Sequence, residues 1–280
     1  MQGKTVVITG ATSGIGNVTA NHLAQQGARI IFIARDTARA EQTLKQLETF
    51  GPNQGHAVHY ADLSRLSEMI RVATSIKDQL KSIDVLINNA GGIFTTRQLT
   101  QDGLEKTFAT NHMAYFVITN LLLGCLRSAR AARIICTASG AYRRARLDFD
   151  DLQSKKSATS FGRYERSKLM NILFTRELAR RLQGTHVTAN CLHPGFVATR
   201  FGESSSGVTS LLLKYAKKLA LSPEQGARTL TYLASSADVA KLTGSYFYKC
   251  KPARLMKQAR NDEDARRLWH VSVSLSGVGA

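Results

Sequence analysis

Lys4-Thr-Val-Val-Ile-Thr9 runs without a break into Gly10-Ala-Thr-Ser-Gly-Ile-Gly16, and this junction decides the fold. Five β-prone residues after Lys4, without polar alternation, read as a strand covered on both faces, which is the habit of parallel sheets. The glycines let the chain turn tightly, and the apolar pattern at 15–26 then reads as a helix stopped by Gly27. Strand, glycine turn and helix N-terminus together offer free N–H groups and a partial positive charge to a pyrophosphate. Gly10, Ser13, Gly14, Ile15 and Gly16 are the expected contacts, Ser13 through its hydroxyl.

The same alternation recurs downstream. Apolar runs at 29–34, 56–61, 84–88, 133–137, 187–192 and 245–249 are separated by helical patterns at 37–50, 66–80, 104–126, 161–182 and 223–235. A last helix, capped by Asn261, runs to Leu275 and stops at Gly277. Strands separated by helices, joined by right-handed crossovers, imply a doubly wound Rossmann fold. The expectation is one α/β domain over all 280 residues with a seven-stranded parallel sheet, and 43% apolar residues suffice for its core.

The end of the second strand bears on the cofactor. A site for NAD(H) usually places an acid there to accept from the ribose hydroxyl. Here the chain reads Ala34-Arg35, and a guanidinium binds phosphate through paired, charge-assisted hydrogen bonds. NADP(H) is therefore expected. Asp36 is read as the N-cap of the next helix.

Tyr164 and Lys168 are four apart in a helical stretch and so share a face. A phenol with its ordinary pKa of about 10 is a poor base at neutral pH, and a nearby ammonium lowers it. Ser139, just past the fifth strand, is the expected donor to an oxygen that gains charge as its carbon accepts hydride. Asn111 lies inside a helical pattern, where asparagine is a poor choice without a purpose. Ser167 abuts Lys168 and is not read as a nucleophile, and His193 is read as packed or cofactor-adjacent. No metal is expected.

Thirty-eight Lys and Arg against twenty Asp and Glu give a net charge of +18. The basic clusters are short and broken: Arg143, Arg144 and Arg146, then Lys155 and Lys156, then Lys214, Lys217 and Lys218. None forms a tail that wraps nucleic acid, so no nucleic-acid partner is expected. Cys125, Cys136, Cys191 and Cys250 are scattered, without metal or disulfide spacing, which suits a reducing cytoplasm. No secretory leader and no membrane span is expected, so membrane contact is at most peripheral.

Taken together these motifs resemble the short-chain dehydrogenase/reductase family. The glycine stretch is similar to its T-G-x-x-x-G-I-G, Asn88-Asn-Ala-Gly91 to its N-N-A-G, and Tyr164-Glu-Arg-Ser-Lys168 to its Y-x-x-x-K. Pro194-Gly195 with Val197 and Thr199 resembles its segment beside the nicotinamide, and the motifs keep family order along nearly the whole chain. Arg35-Asp36, Thr110-Asn-His112, Ser167-Lys-Leu169, Leu173-Phe-Thr-Arg-Glu-Leu178, His193-Pro-Gly195 and Leu268-Trp269 resemble the retinol-dehydrogenase-like branch. Thr12 departs from that branch's usual Asn, Thr137-Ala-Ser139 replaces its V-S-S, and the N-terminal anchor of many animal members is not expected.

The resemblance implies that Asp62 and Leu63 lie around the adenine, that Asn88, Ala90 and Gly91 line the cofactor, and that Val197 and Thr199 hold the carboxamide. It implies that Lys168 holds the nicotinamide ribose and that Asn111 holds a water linking Lys168 to solvent. In many relatives the helices at 104–126 and 161–182 pair protomers, so a homo-oligomer is expected. The substrate should be walled by 92–98, 140–162 and 201–221. Within 200–222, Leu211, Leu212, Tyr215, Ala216 and Leu219 alternate with lysines, which fits a lid over an apolar substrate or an ordinary surface helix. The expected function is an NADP(H)-dependent oxidoreductase acting on a lipophilic alcohol or carbonyl. The alternative is a non-catalytic NADP-binding sensor that uses its basic surface.

Overall fold

The computed structural model describes residues 1–155, 159–197 and 221–279. The strands are β1 (Thr5–Thr9), β2 (Arg29–Ala34), β3 (Ala57–Tyr60), β4 (Val85–Asn88), β5 (Ala132–Thr137), β6 (Val187–His193), β7 (Tyr246–Tyr248) and β8 (Lys251–Pro252). The helices are α1 (Gly14–Gln25), α2 (Thr37–Phe50), α3 (Leu66–Gln79), α4, α5 (Ser160–Arg181), α6 (Pro223–Ser235) and α7 (Asp262–Ser276). Helix α4 is composite: Lys106–Phe108, a π-helical stretch Ala109–Met113, then Ala114–Ser128.

The sheet order is β3-β2-β1-β4-β5-β6-β7-β8, parallel throughout except for the last pair. Period-two alternation divides each strand between two cores. Val7, Ile31, Leu86, Ile134 and Cys191 face one side, with α3, α4, α5 and α7. Val6, Ile8, Ile30, Ile87, Ile135 and Leu192 face the other, with α1, α2 and α6. Helix α3 shows the pattern that docks a helix on such a sheet: Met69, Val72, Ala73 and Ile76 are buried, and the rest meets water. β1 and β4 are neighbours although five elements of chain separate them, so the winding reverses between them. A crevice opens there at the strands' C-terminal ends, where such folds bind ligands.

The sheet has eight strands rather than the expected seven. After β7, Lys249 and Cys250 both adopt positive φ, 49° and 61°, which is a two-residue turn of type I′, and β8 pairs back antiparallel. The usual Asn-Gly signature of that turn is absent, so the hairpin leaves no local mark. Asp36 caps α2 as expected, its carboxylate accepting from Arg39 N at 3.0 Å. Gly277 ends α7 in the left-handed region at φ 67°. No helix among the described residues is long and apolar enough to cross a membrane. The segment expected as a lid lies outside the described residues from 200 to 220.

His112 lies fully buried among aromatic rings, 5.4 Å from Phe108 and 6.2 Å from Phe174 between centroids. The Ser272 hydroxyl donates to the Leu268 carbonyl at 2.8 Å, so it accepts from His112 Nε2–H, also at 2.8 Å. Nδ1 is then the bare nitrogen. Burial pushes the imidazole pKa down to about 3. The unfolded chain takes up this proton below about 6.5 and the folded one does not, so stability rises with pH between these values and is lost on acidification. Urea unfolding should show stability falling from pH 6 to pH 4.5 with a contribution near 1.4 kcal/mol per pH unit from this residue. His112→Phe should flatten the slope by that amount; an unchanged slope contradicts the assignment.

Candidate functional site

The glycine turn is built by steric exclusion. Gly10 adopts φ +71°, and a Cβ there would stand 2.9 Å from Ala90 Cα. A Cβ on Gly16 would stand 2.1 Å from the Gly10 carbonyl oxygen, so the start of α1 packs where only glycine fits. The first turn of α1 holds no acid, and its N-cap Ser13 makes no side-chain capping bond. Its orphan N–H groups thus keep their capacity for an external anion, and the cradle fits a pyrophosphate.

The reversal between β1 and β4 brings a second turn beside it. Thr9 Oγ1 accepts from Asn89 N at 2.9 Å and Ala90 N at 3.0 Å. Asn89 Nδ2 donates to the Gly10 carbonyl at 3.2 Å, and Asn89 Oδ1 accepts from Thr137 Oγ1 at 3.1 Å. The Thr137 carbonyl in turn accepts from Lys168 Nζ at 3.0 Å and Asn171 Nδ2 at 3.3 Å. An unbroken hydrogen-bonded path therefore joins the glycine turn to Lys168.

Tyr164, Lys168, Ser139 and Asn111 come together at the C-terminal ends of β4 and β5. The Tyr164 hydroxyl hydrogen-bonds the Ser139 side chain. Ser139 also caps the short helix Gly140–Arg144, accepting from Ala141 N at 3.2 Å. Asn111 sits in the π-helical stretch of α4, an extra-residue turn frequent at functional sites. Its Oδ1 accepts from Gly92 N at 2.9 Å, and its Nδ2 donates to the Gly92 carbonyl at 2.9 Å and to Ser167 Oγ at 3.0 Å. Ser167 Oγ then donates to the Tyr164 carbonyl at 2.7 Å. A Cβ on Gly91 would lie 2.9 Å from Asn111 Oδ1 and 3.6 Å from Lys168 Nζ, so the glycine admits both groups.

The electrostatics correct one expectation. The sequence reading has Lys168 lowering the pKa of Tyr164; instead burial pushes the phenol up to about 12, against a smaller opposing effect of the Ser139 hydrogen bond. Burial also pushes Lys168 down to about 8. The reason is geometric. Lys168 Nζ is spent on the Thr137 carbonyl and lies 5.6 Å from the Tyr164 ring centroid, over its face. The phenol keeps its proton at neutral pH, which suits a proton donor.

Other expected residues are distributed as follows. Arg35 is exposed beyond β2, 3.9 Å from Asp62, whose Oδ1 accepts from Ser64 N. Leu63 is 8% exposed and belongs to the core. Ala90 and Gly91 stand in the second turn, but Asn88 does not line the crevice: it is fully buried, and its amide donates to Thr119 Oγ1 at 2.9 Å. Asn88 shares the face of Leu86 beneath α4, and strand alternation was the signal for this. Gly195 lies at φ +94° after Pro194, and its N–H donates to His193 Nδ1 at 3.3 Å. Val197 bridges to Leu221 and packs on Gly226, where a Cβ would meet its Cγ2 at 2.5 Å. Thr199 lies outside the described residues.

Two features carried no local signal. Tyr115 is fully buried with Lys168 Nζ 5.8 Å from its ring centroid, and burial raises its pKa well above the ordinary phenol value. Arg163 and Glu105 form an ion pair at 3.4 Å, with side chains only 5% and 2% exposed. Arg163 also donates to the Phe94 carbonyl at 3.1 Å, tying residue 94 to the helix that carries Tyr164.

The sequence pattern of the family described as short chain dehydrogenase matches residues 4–207. The chain belongs to this family. Retinol dehydrogenase 14 of Homo sapiens is 42% identical over 296 aligned residues, covering 99% of this chain and 88% of that protein, which sets this short-chain dehydrogenase in the retinol-dehydrogenase-like branch. Among solved structures, an uncharacterized protein from Mycobacterium Paratuberculosis superposes with a TM-score of 0.79 at 33% identity, covering 99% of this chain and 94% of that one. The Pseudomonas aeruginosa RhlG/NADP active-site complex gives a TM-score of 0.68 at 26% identity, covering 88% and 94%. As a short-chain dehydrogenase/reductase the chain is an oxidoreductase.

Proposed function

We propose that this short-chain dehydrogenase interconverts an alcohol and a carbonyl by hydride transfer with NADP(H), on a lipophilic substrate. The observation that carries the reading is the hydrogen bond between the Tyr164 and Ser139 hydroxyls, set beside Lys168 and Asn111 in one buried network. The similarity to Retinol dehydrogenase 14 of Homo sapiens supports an apolar substrate.

In carbonyl reduction the Tyr164 hydroxyl donates its proton to the substrate oxygen, and Ser139 donates a hydrogen bond to that same oxygen as charge develops. Lys168 places a positive charge behind the phenol and replenishes its proton, while Asn111, held by Gly92 and Ser167, keeps the path to solvent open. NADPH, when bound, supplies the hydride. The residues that would hold it are Gly10, Ser13, Gly14, Ile15 and Gly16 at the pyrophosphate, Asp62 and Leu63 at the adenine, and Ala90 and Gly91 in the crevice. Pro194, Gly195, Val197 and Thr199 would hold it near the carboxamide.

Arg35 is the group we assign to the extra phosphate of NADP(H). It is exposed and, among the described residues, pairs only with Asp62, at 3.9 Å, whereas the neighbouring Asp36 carboxylate is committed to capping α2. The solved NADP complex of RhlG supports the same cofactor. Arg35→Ala should raise the NADPH dissociation constant about 10- to 100-fold and leave NADH binding unchanged, since a charge-assisted contact is worth about 1.5–3 kcal/mol. Equal loss for both cofactors in a fluorescence titration contradicts the assignment. We read the protein as cytoplasmic, at most peripheral to membranes and homo-oligomeric, with residues 200–222 as the substrate lid.

A further inference from the structure

Two stretches far apart in the chain carry cations and no acid. Residues 139–147 contain Arg143, Arg144 and Arg146, and residues 239–261 contain Lys241, Lys249, Lys251, Arg254, Lys257 and Arg260. The fold draws them together. Met256 N donates to the Tyr142 hydroxyl at 3.2 Å, Gln258 Nε2 donates to the Arg143 carbonyl at 2.8 Å, and the Tyr142 and Tyr246 rings meet edge-on at 5.5 Å. Between them lies an open cleft of about 440 Å³, lined by Arg143, Arg254, Leu255, Met256, Lys257 and Arg260.

All four cations are exposed, no carboxylate lines the cleft, and among the described residues none of the four is paired with an acid. Gathering like charges on one wall opposes folding, and a cleft of one sign concentrates ions of the other. Guanidinium groups are matched to carboxylate and phosphate oxygens. Leu255 and Met256 add an apolar wall, with Met256 48% exposed. A charged head beside an apolar wall is the complement of an amphipathic anion.

One short helix links the cleft to the catalytic groups. Arg143 lies on the helix Gly140–Arg144 that Ser139 caps, four residues on, or about 8 Å at the rise of such a helix. The charge of Arg143 helps hold the His193 imidazole down at about 4, after the larger effect of burial. His193 in turn abuts Gly140, where a Cβ would stand 3.0 Å from its Nε2, and its Nδ1 accepts from Gly195 N.

We infer that this cleft binds the anionic end, a carboxylate or a phosphate monoester, of an amphipathic substrate whose carbonyl or carbinol end reaches Ser139 and Tyr164. The inference rests on the proposed hydride transfer and narrows its substrate class from lipophilic to lipophilic and anionic. It also gives part of the basic charge a use.

The test compares a medium-chain aliphatic aldehyde with the same chain ending in a carboxylate, each reduced with NADPH at low salt. The carboxylate should lower KM at least about tenfold. The triple variant Arg254→Gln, Lys257→Gln, Arg260→Gln should abolish that advantage, with kcat unchanged and the neutral aldehyde's kinetics intact. Titration calorimetry with dodecyl phosphate, below its micellar concentration, reads the same cleft without turnover: binding should be lost in the variant. Turnover of the neutral aldehyde with no preference dependent on these residues overturns the cleft and leaves the hydride-transfer reading standing. Variant-sensitive dodecyl phosphate binding with no carbonyl turned over supports the anion site and overturns the hydride-transfer reading. Binding to phosphatidic acid vesicles but not to monomeric dodecyl phosphate overturns the small-ligand assignment in favour of a membrane surface.

Discussion

Tyr164→Phe should lower kcat for carbonyl reduction by about a thousandfold while leaving the NADPH dissociation constant unchanged. The substitution removes one oxygen and keeps the ring, which packs 6.1 Å from Phe161 between centroids and under Lys168 Nζ at 5.6 Å. Ser139 loses its phenol partner but still caps its short helix through Ala141 N, so the local fold has no reason to move. What disappears is the proton donor. Because burial holds the phenol pKa up near 12, the hydroxyl is protonated throughout the working range and its loss is a loss of acid catalysis at every neutral pH. Steady-state kinetics with cofactor titration separate the two constants. A kcat within a few-fold of wild type removes Tyr164 from the mechanism.

Arg163→Met and Glu105→Ala should each cost about 3–5 kcal/mol of stability, several times what a surface ion pair is worth. Both side chains are almost fully buried, so removing one takes from the other an opposite charge that water does not replace. Glu105 carries more than the pair: its Oε2 accepts from Phe108 N at 2.9 Å and its Oε1 from Thr107 Oγ1 at 2.9 Å, which starts the helical run leading to Asn111. Glu105→Ala therefore also loosens the support of Asn111 and should lower kcat, whereas Arg163→Met frees residue 94 and should act mainly on KM. The double variant should cost less than the sum, because the attraction between the two is lost only once. Urea denaturation measures all three, and single-variant losses under about 1 kcal/mol contradict a buried pair.

The parts legible in the sequence are those with short-range causes. The β1–turn–α1 junction needs only a strand-forming run and glycines, and the structure adds the reason: Gly10 and Gly16 stand where a Cβ would collide. Asp36 as a cap was equally local. The illegible parts depend on partners distant in the chain. Nothing around Arg163 announces Glu105, 58 residues earlier. Nothing around Lys249-Cys250 announces a two-residue hairpin, because neither residue is the Asn or Gly such turns favour. The inversion of the Tyr164 pKa shift came from the same source. A four-residue spacing puts Lys168 on the right face, but the Thr137 carbonyl, at the end of β5, decides where the ammonium settles. Asn88 shows the reverse: its buried direction was readable from β4 alternation, and the motif resemblance drew attention away from it.

The central claim is that these residues set a carbonyl to take a hydride from NADPH and a proton from Tyr164. It is tested most directly by incubating the wild-type protein with NADPH deuterated at the nicotinamide C4 and a panel of retinoid, steroid, quinone and aliphatic carbonyls. The account expects deuterium on the carbinol carbon of at least one product, in step with NADPH consumed. Failure to consume NADPH across the panel, or product carbinol carbons bearing no deuterium from either C4 face, contradicts it.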